Sequence, residues 1–312
     1  MKGGDGVRML YATDGSAGAA VALDLICALS LRPVDEVIVV SHPAFLILAR
    51  PNEGVVGRAM ERRRQRARDV VEAALGRLRA RGARARGTMQ DGEDTVDAIR
   101  RAAEENEADL IIVGSRGLGP LTSILVGSTA RTLAMLSPVP VLVVRDRLAA
   151  PRRVLVAFDG SSASRSAVEI SGRLPLPADA TVELLNVLPA RVWSELGPGM
   201  NGELAGLREE VERDDERQGA DRLREATAMI EGVTVRTHLE CGPVAETILG
   251  RASAIGADLV VLGSRGASGP RRPFWGSTAE RVLVSARCPV LVAPSPATAD
   301  IPAKPRAEAV PA

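Results

Sequence analysis

Two kinds of residue in this chain have the type and spacing to hold a phosphorylated ligand. The first is an aspartate placed directly after an apolar run: Asp14 in YATDGS and Asp159 in VAFDGS. The second is a set of spaced glycines, Gly114-x2-Gly117-x9-Gly127-Ser128 and Gly263-x2-Gly266-x9-Gly276-Ser277. Glycines let a backbone approach an anion closely and take up positive φ. Gly127-Ser128 and Gly276-Ser277 open helical patterns, where free N–H groups and the helix dipole favour negative charge. The hydroxyls of Ser128, Thr129, Ser277 and Thr278 add donors. A carboxylate suits the other end of a nucleotide, accepting from ribose hydroxyls or an adenine amino group. It would be badly placed against phosphates. A structural reading competes with this one, in which each aspartate is a helix N-cap beside Ser16 or Ser161. With 30 glycines in the chain, one such spacing is weak. Two, each paired with its own aspartate, are stronger, although duplication makes them dependent.

The duplication runs through the whole chain. RMLYATDGS at 8–16 returns as RVLVAFDGS at 153–161, and DLIIVGSRG at 109–117 as DLVVLGSRG at 258–266. GSTA recurs at 127–130 and 276–279, and PVLV at 140–143 and 289–292. The order is kept and the period is far longer than that of a solenoid repeat. Residues 1–147 and 151–294 therefore read as two copies of one domain, with a seam in RDRLAAPRR. Residues 295–312 are rich in Pro and Ala without periodicity and read as a disordered tail.

Within each copy, apolar runs alternate with helical patterns. Copy one predicts strands at 7–13, 34–41, 83–88, 109–114 and 139–144. Helices are predicted at 17–30, 55–80, 93–106 and 128–136, with Asp91 able to cap the third. Copy two predicts strands near 153–158, 180–187, 233–239, 258–263 and 288–293. Runs apolar on both faces, alternating with helices, argue for an α/β fold: two tandem doubly wound domains, each a parallel sheet with helices on both faces. In such a sheet, ligands bind beyond the carboxyl ends of the strands where strand order reverses. The aspartates and glycine loops fall at those ends. The last strands, 139–144 and 289–292, are apolar edges that invite antiparallel pairing with each other.

Composition narrows the classes. The 312 residues include 40 Lys+Arg and 39 Asp+Glu, a net charge of +1 that lacks the basic excess of a nucleic-acid binder. The apolar runs are far shorter than the ~20 residues of a membrane span, and the N-terminus lacks the apolar core of a secretory signal. Three cysteines without a CxxC spacing fit a reducing cytoplasm, and two distant histidines make a zinc site improbable. Two stretches remain outside the ligand reading. The arginine-rich 58–86 reads as a solvated helix face, since no aromatic interleaves it. Its counterpart 203–225 is acidic, so matching helices carry opposite charge. Cys241, before Gly242-Pro243, reads as lying at a helix start, where a thiol pKa falls.

These motifs together resemble the universal stress protein family in a tandem arrangement. DGS at 14–16 and 159–161, GSRG at 114–117 and 263–266, GST at 127–129 and 276–278, and the closing SPVPVLVV and ARCPVLVA carry the resemblance. The glycine spacing is that of the ATP-binding branch. The resemblance implies five parallel strands per domain in order 3-2-1-4-5 and ATP with Mg2+ on its phosphates. Ala12, Thr13 and Asp14 would serve the adenosine end in copy one, as would Ala157, Phe158 and Asp159 in copy two. Gly114, Ser115, Arg116, Gly117, Gly127, Ser128 and Thr129 would wrap one set of phosphates. Gly263, Ser264, Arg265, Gly266, Gly276, Ser277 and Thr278 would wrap the other. Adenine would meet the strand-two end near His42 and Val187. The sequence departs from the pattern at His42, often Val in the family, and at Phe158, which stands where copy one has Thr13. The loop GASGPRRPFWGS adds Arg271 and Arg272, which either reach phosphates or face solvent.

The function expected from this is a cytoplasmic ATP-binding regulator of the stress response, acting on a protein partner, with neither nucleic acid nor membrane as partner. The two halves would form a pseudo-dimer, and whole-chain homodimers are left open. The alternatives are a slow ATP hydrolase or a partner-binding module with empty sites. No GxxxxGK[ST] is present, and the two lysines, Lys2 and Lys304, lie near the chain ends.

Overall fold

The computed structural model describes residues 6–43, 53–90, 94–115, 126–145, 149–188, 205–266 and 276–295. Of the expected tail at 295–312, Ser295 is described, its N donating to Ser264 Oγ at 3.2 Å, and the rest lies outside these residues. The first half runs β1 (Arg8–Ala12), α1 (Ala17–Ala28), β2 (Glu36–Ser41), α2 (Glu53–Arg79), β3 (Arg84–Met89), α3 (Thr95–Glu105), β4 (Leu110–Gly114), α4 (Ser128–Leu136) and β5 (Val141–Val144). The second repeats the series as β6 (Arg153–Ala157), α5 (Ser162–Arg173), β7 (Thr181–Leu188), α6 (Ala205–Ala228), β8 (Thr234–Cys241), α7 (Val244–Ile255), β9 (Leu259–Gly263), α8 (Ser277–Ser285) and β10 (Val290–Ala293).

The strands form one sheet in order β3-β2-β1-β4-β5-β10-β9-β6-β7-β8. Each half has the order 3-2-1-4-5, with every pair inside it parallel. The halves join where β10 lies antiparallel to β5, with Leu291 opposite Leu142. These two leucines are equivalent positions in the repeat, so a pseudo-two-fold axis passes between them.

Alternation along each strand feeds two cores. Met9 and Tyr11 point to the face covered by α1 and α2, and Leu10 and Ala12 to the face covered by α3 and α4. Val154 and Val156 against Leu155 divide the second half in the same way. Ser16 and Ser161 cap α1 and α5, accepting from Ala19 N and Ser164 N. The cap of α3 is Asp94, whose Oδ1 accepts from Val96 N at 2.8 Å and Asp97 N at 3.0 Å. The helix thus starts two residues later than the pattern predicts, and Asp91 lies outside the described residues. Cys241 is not at a helix start. It ends β8, in register with Leu188, and α7 begins after Pro243.

Candidate functional site

The strand-one turns are built alike in both halves. Thr13 N donates to Val40 O at 2.9 Å, and Phe158 N to Leu185 O at 2.8 Å, so both chains stay tied to the sheet one residue past the strand. Each aspartate then closes a small turn: Asp14 Oδ1 accepts from Ser16 N at 2.9 Å, and Asp159 Oδ1 from Ser161 N at 3.0 Å. Gly15 and Gly160 follow at φ +75° and +81°, conformations that favour glycine. The serines, not the aspartates, cap the helices. Asp14 is exposed and Asp159 half-buried at the carboxyl ends of β1 and β6.

The first glycine of each spaced set serves packing. A Cβ on Gly114 would lie 2.4 Å from the backbone carbonyl of Gly18, and one on Gly263 would lie 2.8 Å from the Ala163 backbone. The missing side chains let α1 and α5 press onto β4 and β9. Next, Ser115 N donates to Val144 O at 2.6 Å and Ser264 N to Ala293 O at 2.7 Å. Each loop returns to its start, because Gly127 N donates to Ser115 O at 2.7 Å and Gly276 N to Ser264 O at 3.1 Å. Those two amides are therefore engaged. The next ones open α4 and α8, and neither helix has a side-chain cap. Ser128 and Ser277 are exposed there, with Thr129 and Thr278 half-buried beside them.

In the second half the two loops meet. A Cβ on Gly266 would come within 2.9 Å of Asp159 Oδ2, and Ser161 Oγ donates to Arg265 O at 3.3 Å. The carboxylate after β6 and the glycine loop after β9 thus face each other across the switch in strand order. Arg116 and Gly117, the corresponding residues of the first half, lie outside the described residues, as do Arg271 and Arg272.

The remaining expected residues take varied positions. Ala12 and Ala157 end their strands and pack on the α3/α4/α7/α8 face. The Phe158 ring is buried in the opposite core, which leaves its backbone as the part near the turn. His42 follows β2, half-buried, with Nδ1 3.2 Å from Thr95 Oγ1. Val187 lies inside β7, which runs on to Leu188 with Val187 opposite Glu240. Sequence reasoning missed Asn186. Its Nδ2 donates to Phe158 O at 2.6 Å from a fully buried position, bracing the turn that presents Asp159. A lone amide in the apolar run TVELLNVL was its signal. Among the described residues, no cluster of three or more His, Cys, Asp or Glu is placed to hold a metal, and no helix is long and apolar enough to cross a membrane.

A parallel sheet of order 3-2-1-4-5, with an acid and a glycine loop at its switch point, defines a doubly wound α/β domain. The pattern of the universal stress protein family matches residues 7–145 and again 151–294, and the chain belongs to that family. It is 31% identical over 196 residues to universal stress protein Rv2005c of Mycobacterium tuberculosis, an alignment covering 60% of this chain and 62% of that one. The chain thus spans about three fifths of that relative's length. It is 30% identical over 147 residues to universal stress protein MJ0531 of Methanocaldococcus jannaschii, covering 46% of this chain and 83% of that one. The crystal structure of a universal stress protein from Archaeoglobus fulgidus shares the fold, with TM-score 0.62, 23% identity, and coverage of 92% of this chain and 96% of that chain. So does protein PA1789 of Pseudomonas aeruginosa, with TM-score 0.62, 17% identity and 94% of each chain covered.

Proposed function

We propose that this protein binds ATP at two sites, one per half, and works as a cytoplasmic nucleotide-dependent regulator of the stress response whose occupancy a protein partner reads. The observation that carries this reading is the approach of Gly266 to Asp159 Oδ2 at the switch point of the second half. Asp14 and Asp159 would accept hydrogen bonds from the ribose. The first-turn amides of α4 and α8, with Ser128, Thr129, Ser277 and Thr278, would donate to the phosphates. Arg265, half-buried beside Gly266, adds positive charge. Mg2+ would be carried on the phosphates, a mode of binding that needs no protein cage.

Native mass spectrometry of the purified protein, followed by calorimetric titration, tests this. The expected result is two ATP per chain with GTP bound more weakly. No retained nucleotide and no heat with ATP would overturn it.

A further inference from the structure

The two longest helices carry opposite charge and run past the sheet that holds them. α2 has eight arginines against four acids, and α6 has eight acids against five arginines. α2 reaches the ends of its strands at Val70, which lies against Gly15, and Val71, which lies against Gly87. None of residues Gly57–Arg66 is buried, and Ala67 is the first buried residue of the helix among those described. In α6 the same landmark is Gly219, buried against Leu239, Asn186 and Leu188. The turns before these landmarks form two arms, each about 20 Å long.

The arms differ in how far they satisfy themselves. The acidic arm is laced with Arg208–Glu212 and Arg213–Glu209 pairs at i,i+4 spacing, at 2.8 and 2.7 Å. The basic arm places Arg58, Arg62 and Arg66 one turn apart on a single stripe, and like charges at that spacing destabilise a helix. The acids within reach are already engaged, Glu61 by Arg68 and Asp69 by Gln65. Among the described residues, these three arginines have no ion pair, and neither do Glu210 and Glu216 on the acidic arm. A short helical segment with no fully buried residue among those described is marginal in water, and this arginine stripe also repels itself. An anionic partner relieves both defects. No aromatic residue lies in the stripe to stack on bases. Every copy of the chain, however, carries an acidic arm of matching length.

We propose that the arginine arm of α2 docks on the acidic arm of α6 in a second copy of this chain, through guanidinium–carboxylate pairs. The contact joins two different surfaces, so it builds head-to-tail assemblies that close or extend.

Light scattering and sedimentation velocity on the full chain test this. The mass should exceed 32.8 kDa at low salt and return to it at about 1 M salt, where charges are screened within about 3 Å. Arg58→Glu/Arg62→Glu/Arg66→Glu makes both arms acidic, and Glu210→Lys/Asp214→Lys/Glu216→Lys makes both basic. Each variant alone should lose association by more than about tenfold. An equimolar mixture should regain it, which misfolded chains could not do. Arg62→Ala, which removes one charge and reverses none, should weaken association by up to about fivefold. A wild type that stays at 32.8 kDa throughout, or gains mass only when RNA is added, overturns the proposal. So does a folded pair of variants that fails to associate on mixing.

Discussion

Gly266 and Gly114 belong to the same spaced motif and do different work. Gly266 is exposed, and its missing side chain leaves room beside Asp159. Gly266→Glu sets a carboxylate there, and two unit charges about 4 Å apart repel by roughly 4 kcal/mol at an effective dielectric near 20. Water discounts that figure at an exposed position. ATP affinity of the second half should still fall at least about tenfold by calorimetry, while the unfolding midpoint barely moves. Unchanged affinity would remove this loop from the phosphate site. Tyr11 offers a second residue-scale test. It is the only tyrosine in the chain, it is buried, and its hydroxyl donates to Ala19 O at 2.6 Å. Burial pushes the phenol up to about 12. Between about pH 10 and 12 the unfolded chain releases this proton and the folded protein keeps it. Stability is therefore whole below pH 10 and falls as pH rises, by about 1.4 kcal/mol per unit, levelling off above pH 12. In the folded protein, phenolate absorbance should appear with a midpoint pushed up to about 12, recorded beside helical circular dichroism to confirm that the chain is still folded. A midpoint near about pH 10 while the helices stay intact would contradict its burial. The cysteines divide similarly. Cys241 is exposed, whereas burial raises the Cys27 thiol and pushes Cys288 up to about 11. Alkylation at about pH 8, followed by peptide mass spectrometry, should label Cys241 well before the other two.

At the scale of elements, the helix–strand contacts set what the loops can present. Gly114→Ala forces a methyl onto the Gly18 backbone, which cannot yield as a flexible side chain would. A loss of about 1–3 kcal/mol is expected in chemical denaturation, and a neutral result would mean that α1 does not press on β4. This is also where the sequence stopped being legible. The alternation of apolar runs and helical patterns was enough to find both halves and the doubly wound class. The spaced glycines marked the loops. The packing duty of Gly114 was hidden because Gly18 is distant in sequence and the contact exists only after α1 folds back. The cap of α3 was misplaced because Asp91, Glu93 and Asp94 stand close together, and which acid meets the free amides depends on where the helix begins. β7 and β8 extend beyond the predicted ends because Leu188 and Cys241 gain a partner in each other, a pairing no local pattern reports. Asn186 escaped notice because its partner is a backbone carbonyl on the neighbouring strand.

For the molecule as a whole, the seam between β5 and β10 joins the two halves into one sheet, and both cores run across it. Leu291 is fully buried there, opposite Leu142. Leu291→Ala should destabilise by about 2–5 kcal/mol and split a single calorimetric transition into two, since each half keeps its own parallel strands. One unsplit transition in the variant would show that the halves do not depend on this seam for their cooperativity. Arg131 and Glu280, equivalent positions in the first turns of α4 and α8, pair across the axis. A pairing of two first halves would set Arg131 against Arg131, so the contact discriminates in favour of the arrangement within one chain. The antiparallel seam also fixes where the two nucleotide sites proposed above would be seen from. Because the strands of one half run opposite to those of the other, their carboxyl ends open toward opposite rims of the sheet. A ligand in one site is hidden from anything docked at the other. Under the proposed function, a small partner would read one occupancy or the other, and only one that straddles the protein, or two partners acting at once, would register that both are full.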